Sequence, residues 1–110
     1  MNEHRPPTLF EEKVYEATSC IPRGKVSTYA LIGKSIGCKS SQAIGQALRR
    51  NPRAPFVPCH RVISSSLTIG GFSGERSGTE VTRKLKLLAA EGVRFDGDGK
   101  LADPERVHHF

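Results

Sequence analysis

The sequence has no tryptophan, only three cysteines, no CxxC pair and no long apolar run. No stretch approaches the roughly 20 apolar residues that a membrane-spanning helix requires, so we expect no membrane partner. The odd number of cysteines argues against a disulfide scaffold, and the missing CxxC pair argues against a zinc site. The charges at the N-terminus are not followed by an apolar run, so they do not predict a secretory signal. These absences predict a reduced, intracellular protein, in the cytoplasm or, in a eukaryote, in the nucleus.

Acidic residues are missing from the middle of the chain. Residues 17–74 contain no Asp or Glu, although the whole chain has 11 of them, and the formal net charge is +6. A region with only positive charges attracts a polyanion. This pattern favours a nucleic-acid partner over a basic surface that serves only solubility. The cationic residues of this region are Arg23, Lys25, Lys34, Lys39, Arg49, Arg50, Arg53 and Arg61.

The length of 110 residues and the hydrophobic content of 36% suit one compact domain. Pro6 and Pro7 disfavour a helix at the start of the chain, so we expect residues 1–7 to form a disordered arm. Residues 8–95 carry the periodic apolar pattern of a domain. Residues 96–110 are expected to form a C-terminal tail, with a turn but no clear periodicity. We expect a monomer.

Apolar residues recur at helical spacing in the first half of the chain. Thr8 and Glu11 form a capping box that begins a first helix. A second helix ends at Gly37, and Ser40 caps a third that extends to about Arg50. The residues expected to face inward are Phe10, Val14, Ala17 and Ile21, then Tyr29, Ile32 and Ile36, then Ala43, Ile44, Ala47 and Leu48.

The second and third helices, joined by a tight turn that contains glycine, have the outline of a helix-turn-helix. The outer face of the third helix presents Gln42, Gln46 and Arg49, whose amides and guanidinium are suited to hydrogen bonds with nucleic acid. Many small helical hairpins with this outline bind nothing. The outline therefore supports a nucleic-acid partner only together with the charge pattern.

A fourth helix is expected after a Gly/Ser-rich loop. Ser77 and Glu80 form a second capping box, and Gly92 stops the helix. We expect Val81, Leu85, Leu88 and Ala89 inside and Arg83, Lys84 and Lys86 outside. With short extended segments at residues 25–28 and 57–70, the fold class expected is mainly α with a small β element, arranged as a winged helix-turn-helix domain.

Cys59 differs from the other two cysteines. Cys20 and Cys38 lie at helix ends among apolar neighbours, where a free thiol is expected to be a small buried hydrophobe. Cys59 follows a stiff proline-rich segment and directly precedes His60 and Arg61. A positive charge or an imidazole beside a thiol favours the thiolate, which is the nucleophilic form.

Adjacent residues on an extended strand point to opposite faces, so Cys59 and His60 need a turn or a bridging water to act together. Glu91, at the end of the fourth helix, is a candidate to orient the imidazole in a Cys–His–Glu relay. The alternative from composition alone is a buried thiol beside a surface histidine.

The segment Pro58-Cys59-His60-Arg61-Val62 resembles the active-site signature of the O6-alkylguanine-DNA alkyltransferases, also called methylated-DNA–protein-cysteine methyltransferases. The resemblance covers roughly residues 8–95, in order and at the spacing that the family shows. Further similar blocks are residues 24–29 (GKVSTY), 43–49 (AIGQALR), 51–52 (NP), 69–74 (IGGFSG) and 90–92 (AEG).

The resemblance implies a repair protein that takes an alkyl group from O6-alkylguanine in double-stranded DNA onto its own cysteine. The transfer would be irreversible, would occur once per molecule and would need no cofactor or metal. A helix-turn-helix in the minor groove would rotate the damaged nucleotide out of the stack, because a thiolate cannot reach the O6 substituent inside a duplex.

The resemblance also implies roles for individual residues. Cys59 would be the alkyl acceptor, His60 the water-linked base and Glu91 the carboxylate that orients His60. Asn51 would brace the active-site turn, and Tyr29 would help to rotate the nucleotide and protonate the leaving base. The guanine pocket would be lined by Leu48, Ile69, Phe72 and Ser73. The residues expected to contact DNA are Gln42, Arg49 and Ser65.

Two features depart from the family pattern. Gln42 stands where the family usually has an arginine that fills the gap left by the flipped nucleotide, so we expect weaker DNA binding or slower flipping. The N-terminal domain common in the family is also absent, which makes the chain similar in size to the alkyltransferase-like proteins, which bind alkylated DNA without repairing it. Those proteins replace the acceptor cysteine, typically with tryptophan, whereas Cys59 is present here.

Three alternative functions follow from these features. The first is a non-enzymatic sensor of alkylated DNA, which Gln42 and the small size favour and Cys59 opposes. The second is a hydrolase with a Cys–His–Glu relay, which would turn over an ester or an amide. The third is a transcription-type helix-turn-helix protein, which would bind a particular sequence and ignore alkylation.

Overall fold

The computed structural model describes residues 6–53, 56–69 and 79–110. Over these residues the fold is mainly helical with one two-stranded sheet, as the sequence predicts at this coarse level. The helices are α1 (Leu9–Ser19), α2 (Tyr29–Ser35), α3 (Ser41–Arg49) and α4 (Thr79–Ala90). The strands are β1 (Ser27–Thr28) and β2 (Val62–Ile63), and 3₁₀ turns span Cys59–Arg61 and Pro104–Arg106. Within the described ranges, no helix is both long enough and apolar enough to cross a bilayer.

The capping box at the start of α1 is confirmed. The Thr8 hydroxyl accepts a hydrogen bond from the Glu11 backbone N–H at 3.1 Å, and Glu11 Oε1 accepts one from the Thr8 N–H at 3.0 Å. Two of the first orphan N–H groups of the helix are satisfied in this way. The helix then buries Val14 and Ala17, and Ile21 beyond its end is fully buried.

The α2–α3 hairpin is tight because a glycine lies at the point of closest approach. A Cβ built on Gly33 would lie 2.5 Å from the backbone oxygen of Cys38, so only glycine fits there. The Cys38 N–H donates to the Gly33 carbonyl at 2.8 Å. Ser40 then caps α3 by accepting from the Ala43 N–H at 3.1 Å, as expected. The inward residues of α3 are buried except Ala43, which is half-buried.

Two apolar clusters support the fold. The first lies among the three N-terminal helices and includes Val14, Ile32, Ile44 and Leu48. The second joins the strands to α4 and the C-terminal segment. Its fully or almost fully buried members are Val26, Ile63, Leu88, Val93 and Leu101.

The two strands are parallel, with Ser27 opposite Val62 and Thr28 opposite Ile63. The segment 96–110, set apart above as a tail, packs onto this sheet. Val107 forms a parallel bridge with Val26, and the His108 N–H donates to the Val26 carbonyl at 2.6 Å. The C-terminal segment therefore contributes to the second cluster and extends the edge beside β1.

The expected orientation of the fourth helix is wrong in part. Val81 and Leu88 are buried as expected, but Lys84 is fully buried and Leu85 is 36% exposed. Ala89 is exposed as well. The buried face of the helix contains positions 81, 84 and 88, and not 81, 85, 88 and 89 as the apolar residues predict. A lysine therefore occupies the middle of the buried face. Gly92 ends the helix in a left-handed conformation with φ +87°, as expected.

The two cysteines expected to be buried are not. Cys20 is the C-cap of α1 and is exposed, and Cys38 is half-buried in the turn before α3. Ile21, the neighbour of Cys20, is fully buried in the core, whereas the Cys20 side chain lies at the surface. Residues 1–5 of the expected N-terminal arm lie outside the described residues, and so does Ser77, the expected cap of the fourth helix.

Candidate active site and nucleic-acid interface

Cys59 and His60 lie on a 3₁₀ turn, Cys59–Arg61, immediately before β2. The Cys59 N–H donates to the Val57 carbonyl at 2.8 Å. The Val62 N–H donates to the Cys59 carbonyl and so closes the turn. In an extended chain the side chains of Cys59 and His60 would point to opposite faces. The backbone at these two residues is not extended but forms a 3₁₀ turn. Cys59 is half-buried and His60 is buried.

Glu91 lies just beyond α4 and meets both residues that follow Cys59. Its Oε2 lies 2.9 Å from His60 Nε2. Arg61 donates from Nε to Oε1 at 2.9 Å and from Nη2 to Oε2 at 3.0 Å, and its Nη1 donates to the Ile21 carbonyl at 2.9 Å. The side chains of His60 and Glu91 are 8% and 7% exposed, so this cluster is almost closed to water.

The electrostatics of the cluster define the charge of Glu91 and thereby which group donates in its hydrogen bond with His60. Burial alone would raise the pKa of Glu91, but the hydrogen bonds and charges of Arg61 and His60 lower it to about 2. Glu91 is therefore a carboxylate at neutral pH and can only accept hydrogen bonds. Nε2 of His60 must then carry a proton and donate, and in the neutral imidazole this tautomer leaves Nδ1 with a lone pair that can accept a proton.

Asn51 braces the segment that leads to Cys59. Its Nδ2 donates to the Val57 carbonyl at 2.8 Å, and its Oδ1 accepts from the Arg53 N–H at 2.9 Å. Val57 is also the residue whose carbonyl accepts from the Cys59 N–H. One side chain thus spans the loop between α3 and the 3₁₀ turn.

Tyr29 begins α2 and, like Cys59, packs against the first apolar cluster. Burial raises the pKa of Tyr29, and a thiolate at Cys59 raises it further. The phenol therefore keeps its proton at neutral pH and can donate it in a hydrogen bond.

The structure describes two of the four residues expected to line a guanine pocket, Leu48 and Ile69. Leu48 belongs to the first apolar cluster, whereas Ile69 packs against the second. The Ile69 N–H donates to the Gly99 carbonyl at 2.7 Å. Phe72 and Ser73 lie outside the described residues.

The outer face of α3 is open to solvent. Gln42, Gln46 and Arg49 are all exposed, and so are Lys34 and Lys39 on the neighbouring hairpin. Ser65, the other residue expected to contact DNA, is exposed in the turn after β2.

The positive charge of residues 17–74 is partly compensated from outside that region. Arg53 pairs with Glu12 at 2.8 Å and Arg50 approaches Glu11 at 3.4 Å, while Arg61 is bound to Glu91. Lys34, Lys39 and Arg49 are exposed on the α2–α3 hairpin, whereas Arg23 and Lys25 donate to the carbonyls of Ala90 and Glu105.

Two residues of the site were missed by the sequence reasoning. Arg61 is expected from the sequence only as a positive charge beside Cys59, and its ion pair with Glu91 is not predicted, although its position beside His60 is a signal that both could meet one carboxylate. Lys84 was placed outside, although its spacing of three from Val81 and four from Leu88 also fits the buried face. Its Nζ donates to the Val62 carbonyl at 2.7 Å.

The fold and the site define a small helical domain with a cysteine, a histidine and a glutamate gathered between a turn and the end of a helix. The chain belongs to the 6-O-methylguanine DNA methyltransferase family, because the model of that family's DNA-binding domain matches residues 9–93.

Curated relatives carry the name methylated-DNA–protein-cysteine methyltransferase. The constitutive protein of Bacillus subtilis is 41% identical over 89 residues, which are 80% of this chain and 52% of the relative. The protein of Thermococcus sibiricus is 44% identical over 88 residues, which are 79% of this chain and 46% of the relative. The chain thus spans about half the length of the curated relatives it matches.

Two kinds of solved structure are similar. Schizosaccharomyces pombe Atl1 in complex with damaged DNA containing O6-carboxymethylguanine is 35% identical, with a TM-score of 0.75, and the match covers 92% of this chain and 95% of Atl1. The O6-methylguanine-DNA methyltransferase of Pyrococcus kodakaraensis is 42% identical, with a TM-score of 0.67. That match covers 78% of this chain and 47% of the methyltransferase.

Proposed function

We propose that this chain repairs DNA by transferring an alkyl group from O6-alkylguanine to Cys59, once per molecule. The observation that carries the proposal is a hydrogen bond of His60, which lies on the same 3₁₀ turn as Cys59. Its partner is the ionised carboxylate of Glu91. This bond leaves His60 Nδ1 as a proton acceptor. The curated relatives, which are named methylated-DNA–protein-cysteine methyltransferases, support the same reaction.

The chemistry is a displacement at the alkyl carbon. His60 takes the thiol proton of Cys59 through a bridging water, and Sγ attacks the carbon attached to guanine O6. The S–C bond forms as the C–O6 bond breaks, and the electron pair of that bond goes to the guanine. Tyr29 donates a hydrogen bond to the leaving base. The guanine anion takes up one proton from water, and His60 releases to water the proton that it took from the thiol, so the protons balance. The thioether at Cys59 does not revert to the thiol, so each molecule reacts once.

The DNA would be bound by α2 and α3 as a winged helix-turn-helix in the minor groove. Extrusion of the damaged nucleotide is required because the O6 substituent is stacked inside the duplex. The exposed amides of Gln42 and Gln46 and the guanidinium of Arg49 support α3 as the element that meets DNA. A structure of the Mycobacterium tuberculosis relative, 36% identical, was solved in complex with DNA.

The test is the intact mass of the protein after incubation with a short duplex that contains one O6-methylguanine. We expect one added methyl group, located on the peptide that contains Cys59 and saturating at one per molecule. Cys59→Ala should abolish the addition and keep most of the affinity for DNA. Cys20→Ala is the matched control, since Cys20 is exposed at the end of α1, and it should leave the addition unchanged. Absence of any mass change in the wild-type chain contradicts the proposal.

A second function is favoured by the match to Atl1, which covers almost the whole of both chains and is a complex with O6-carboxymethylguanine DNA. The chain would then bind alkylated DNA as a non-enzymatic sensor. Selective binding of the lesion duplex without a mass change is the result that distinguishes this function from repair. The presence of Cys59 on its turn supports repair as the first choice.

A further inference from the structure

The C-terminal segment, residues 104–108, is hydrogen-bonded along residues 24–27. The Val26 N–H donates to the Arg106 carbonyl at 2.9 Å, and the His108 N–H donates to the Val26 carbonyl at 2.6 Å. The segment is therefore fixed beside the residues that lead into β1, and the position of the Arg106 side chain is set by the backbone on both sides of it.

The side chain of Arg106 reaches two turns. Its Nη1 donates to the carbonyl of Gly24, in the turn between α1 and β1, at 3.0 Å. Gly24 and Gly92, which ends α4, both have left-handed backbones with φ of +89° and +87°. A Cβ on Gly24 would lie 3.3 Å from Arg106 Nη1, and a Cβ on Gly92 would lie 3.7 Å from Nη2. The guanidinium therefore packs against both turns where neither has a side chain.

The two turns also contact each other at Glu91. A Cβ on Gly24 would lie 3.4 Å from the Glu91 carbonyl oxygen. Arg23, beside Gly24, donates from Nη2 to the Ala90 carbonyl at 3.1 Å. The last carbonyls of a helix have no partner within the helix, and their partial charge favours cations. The last turn of α4 has no basic residue, so Arg23 and Arg106 bring cations to this helix end from other parts of the chain.

The turn that contains Gly24 is bound to the catalytic cluster as well. Arg61, which holds both carboxylate oxygens of Glu91, donates from Nη1 to the Ile21 carbonyl at 2.9 Å. Glu91 thus has its backbone against Gly24 and its carboxylate on Arg61 and His60. Because these contacts join in one place, a shift of the turn relative to the end of α4 moves the carboxylate relative to the imidazole.

We propose that Arg106 is a positioning residue for alkyl transfer, which holds the turn before β1 against the end of α4 and so fixes the Glu91 carboxylate on His60. The inference rests on the proposed function, because that reaction uses His60 as its base. It assigns a part in the site to the C-terminal segment, which lies beyond residues 9–93, the part of the chain that matches the family model.

The test observes the hydrogen bond between His60 and Glu91 in the protein without DNA. With ¹⁵N-labelled histidine, the Nε2–H of His60 gives a proton resonance that His60→Gln identifies by its loss. A hydrogen bond to a fixed, buried carboxylate slows exchange of this proton with water. We expect Arg106→Ala to speed the exchange at pH 7 by about tenfold. It should also slow methyl transfer from an O6-methylguanine duplex by about threefold to tenfold.

Two glycine variants test the same contact without replacing Arg106. Gly24→Ala places a Cβ against the Arg106 guanidinium and the Glu91 carbonyl, so it should speed exchange of the His60 proton in the same way. Gly37→Ala is the matched control, because Gly37 also has a positive φ, +76°, but a Cβ there would meet nothing within 4 Å. It should lower the melting temperature and leave exchange of the His60 proton unchanged.

Two arginine variants complete the controls. Arg106→Lys keeps a cation and a donor for the single hydrogen bond to the Gly24 carbonyl, so exchange should stay within about threefold of wild type. Arg94 is exposed and lies just beyond Gly92, so Arg94→Ala should change nothing. Arg106→Ala is expected to fold because the Arg106 side chain is already 40% exposed, and thermal unfolding checks this for each variant.

The outcomes separate this inference from the proposed function. Faster exchange in Arg106→Ala, without methyl transfer by the wild-type chain, would contradict repair and support the contact of Arg106 as the one that fixes Glu91. A lower melting temperature with wild-type exchange and wild-type transfer would overturn the inference, since Arg106 would then stabilise the fold alone. If Arg106→Ala does not fold, the difference in exchange between Gly24→Ala and Gly37→Ala decides, and equal exchange in the two overturns the inference.

Discussion

Arg61 holds both carboxylate oxygens of Glu91, through Nε at 2.9 Å and Nη2 at 3.0 Å, across 30 positions of the sequence. This two-point contact fixes the plane of the carboxylate as well as its position. His60 then lies 2.9 Å from Oε2 of a carboxylate whose position is fixed by Arg61. The pair thus couples the turn that carries Cys59 to the end of α4.

Replacing Glu91 should make stability less dependent on pH in the acidic range. The folded pKa of Glu91 is lowered to about 2, from about 4.3 in an unfolded chain. Its stabilising contribution is therefore complete above about pH 4.3 and is lost as the pH falls toward about 2. Glu91→Gln should lower the free energy of unfolding at pH 7 by roughly 3 kcal/mol. Urea denaturation between pH 2 and 7 measures both quantities.

The control for Glu91→Gln is Glu16→Gln, on the exposed side of α1. Its free energy of unfolding should follow the wild-type curve at every pH. The difference between wild type and Glu91→Gln should narrow as the solution becomes more acidic. Two parallel curves would show that the carboxylate charge of Glu91 is not what stabilises the turn.

Local signals in the sequence were sufficient for most of the helical part of the fold. The capping box of Thr8 and Glu11 and the N-cap Ser40 act within one turn of the chain, so their outcome does not depend on distant residues. The cluster at Glu91 was also within reach, since the resemblance placed it beside His60. The two caps depended on short motifs that contain both hydrogen-bond partners, whereas the contact between Glu91 and His60 joins residues 31 positions apart and was predicted by the resemblance.

What failed depended on packing between distant elements. Lys84 is buried because the Val62 carbonyl, 22 positions earlier, accepts its ammonium, and a hydrophobic count treats any lysine as exposed. The C-terminal segment lacks periodicity because its contacts are single bridges, such as the one between Val26 and Val107. The bridge leaves no pattern in the sequence of the C-terminal segment, and the spacing of Lys84 from Val81 and Leu88 indicates its face of the helix but not its partner.

Asn51 is expected to couple stability to the rate of transfer. Asn51→Ala removes the hydrogen bonds to the Val57 carbonyl and from the Arg53 N–H. Each such bond contributes about 1 kcal/mol, so the free energy of unfolding should fall by about 1–2 kcal/mol. The rate of methyl transfer should fall by about tenfold, since the turn loses its brace. Urea denaturation and a time course of intact mass measure the two effects.

Asn51→Asp refines this prediction. The carboxylate keeps an acceptor for the Arg53 N–H but turns an oxygen toward the Val57 carbonyl, so at neutral pH it should be no better than alanine. Wild-type stability and transfer rate in Asn51→Ala would show that the loop holds its shape without this side chain.

Gly33 is expected to tolerate no side chain. A Cβ there would lie 2.5 Å from the Cys38 backbone oxygen, so Gly33→Ala must push α2 away from the turn before α3. Overpacking of this kind costs about 1–3 kcal/mol. We expect a lower melting temperature and weaker binding to any DNA duplex, measured by calorimetry and by fluorescence anisotropy.

Gly97→Ala is the matched control, because a Cβ at Gly97 would meet nothing within 4 Å. Its melting temperature should lie close to that of wild type. Equal melting temperatures for Gly33→Ala and wild type would mean that the hairpin opens at little cost.

Gln42 is expected to limit DNA binding because it brings no charge to the exposed face of α3. Gln42→Arg adds one cation where the proposed nucleotide gap forms, so affinity for an O6-methylguanine duplex should rise by about threefold to tenfold at low salt. Since a charge contact depends on ionic strength, the slope of log affinity against log salt should steepen by about one unit. Fluorescence anisotropy at several salt concentrations measures both. Gln46→Arg, on the same exposed face, should raise the affinity for damaged and undamaged duplexes equally. If Gln42→Arg also raises the affinity for damaged and undamaged duplexes equally, residue 42 contacts the DNA backbone and does not enter the gap left by the flipped nucleotide.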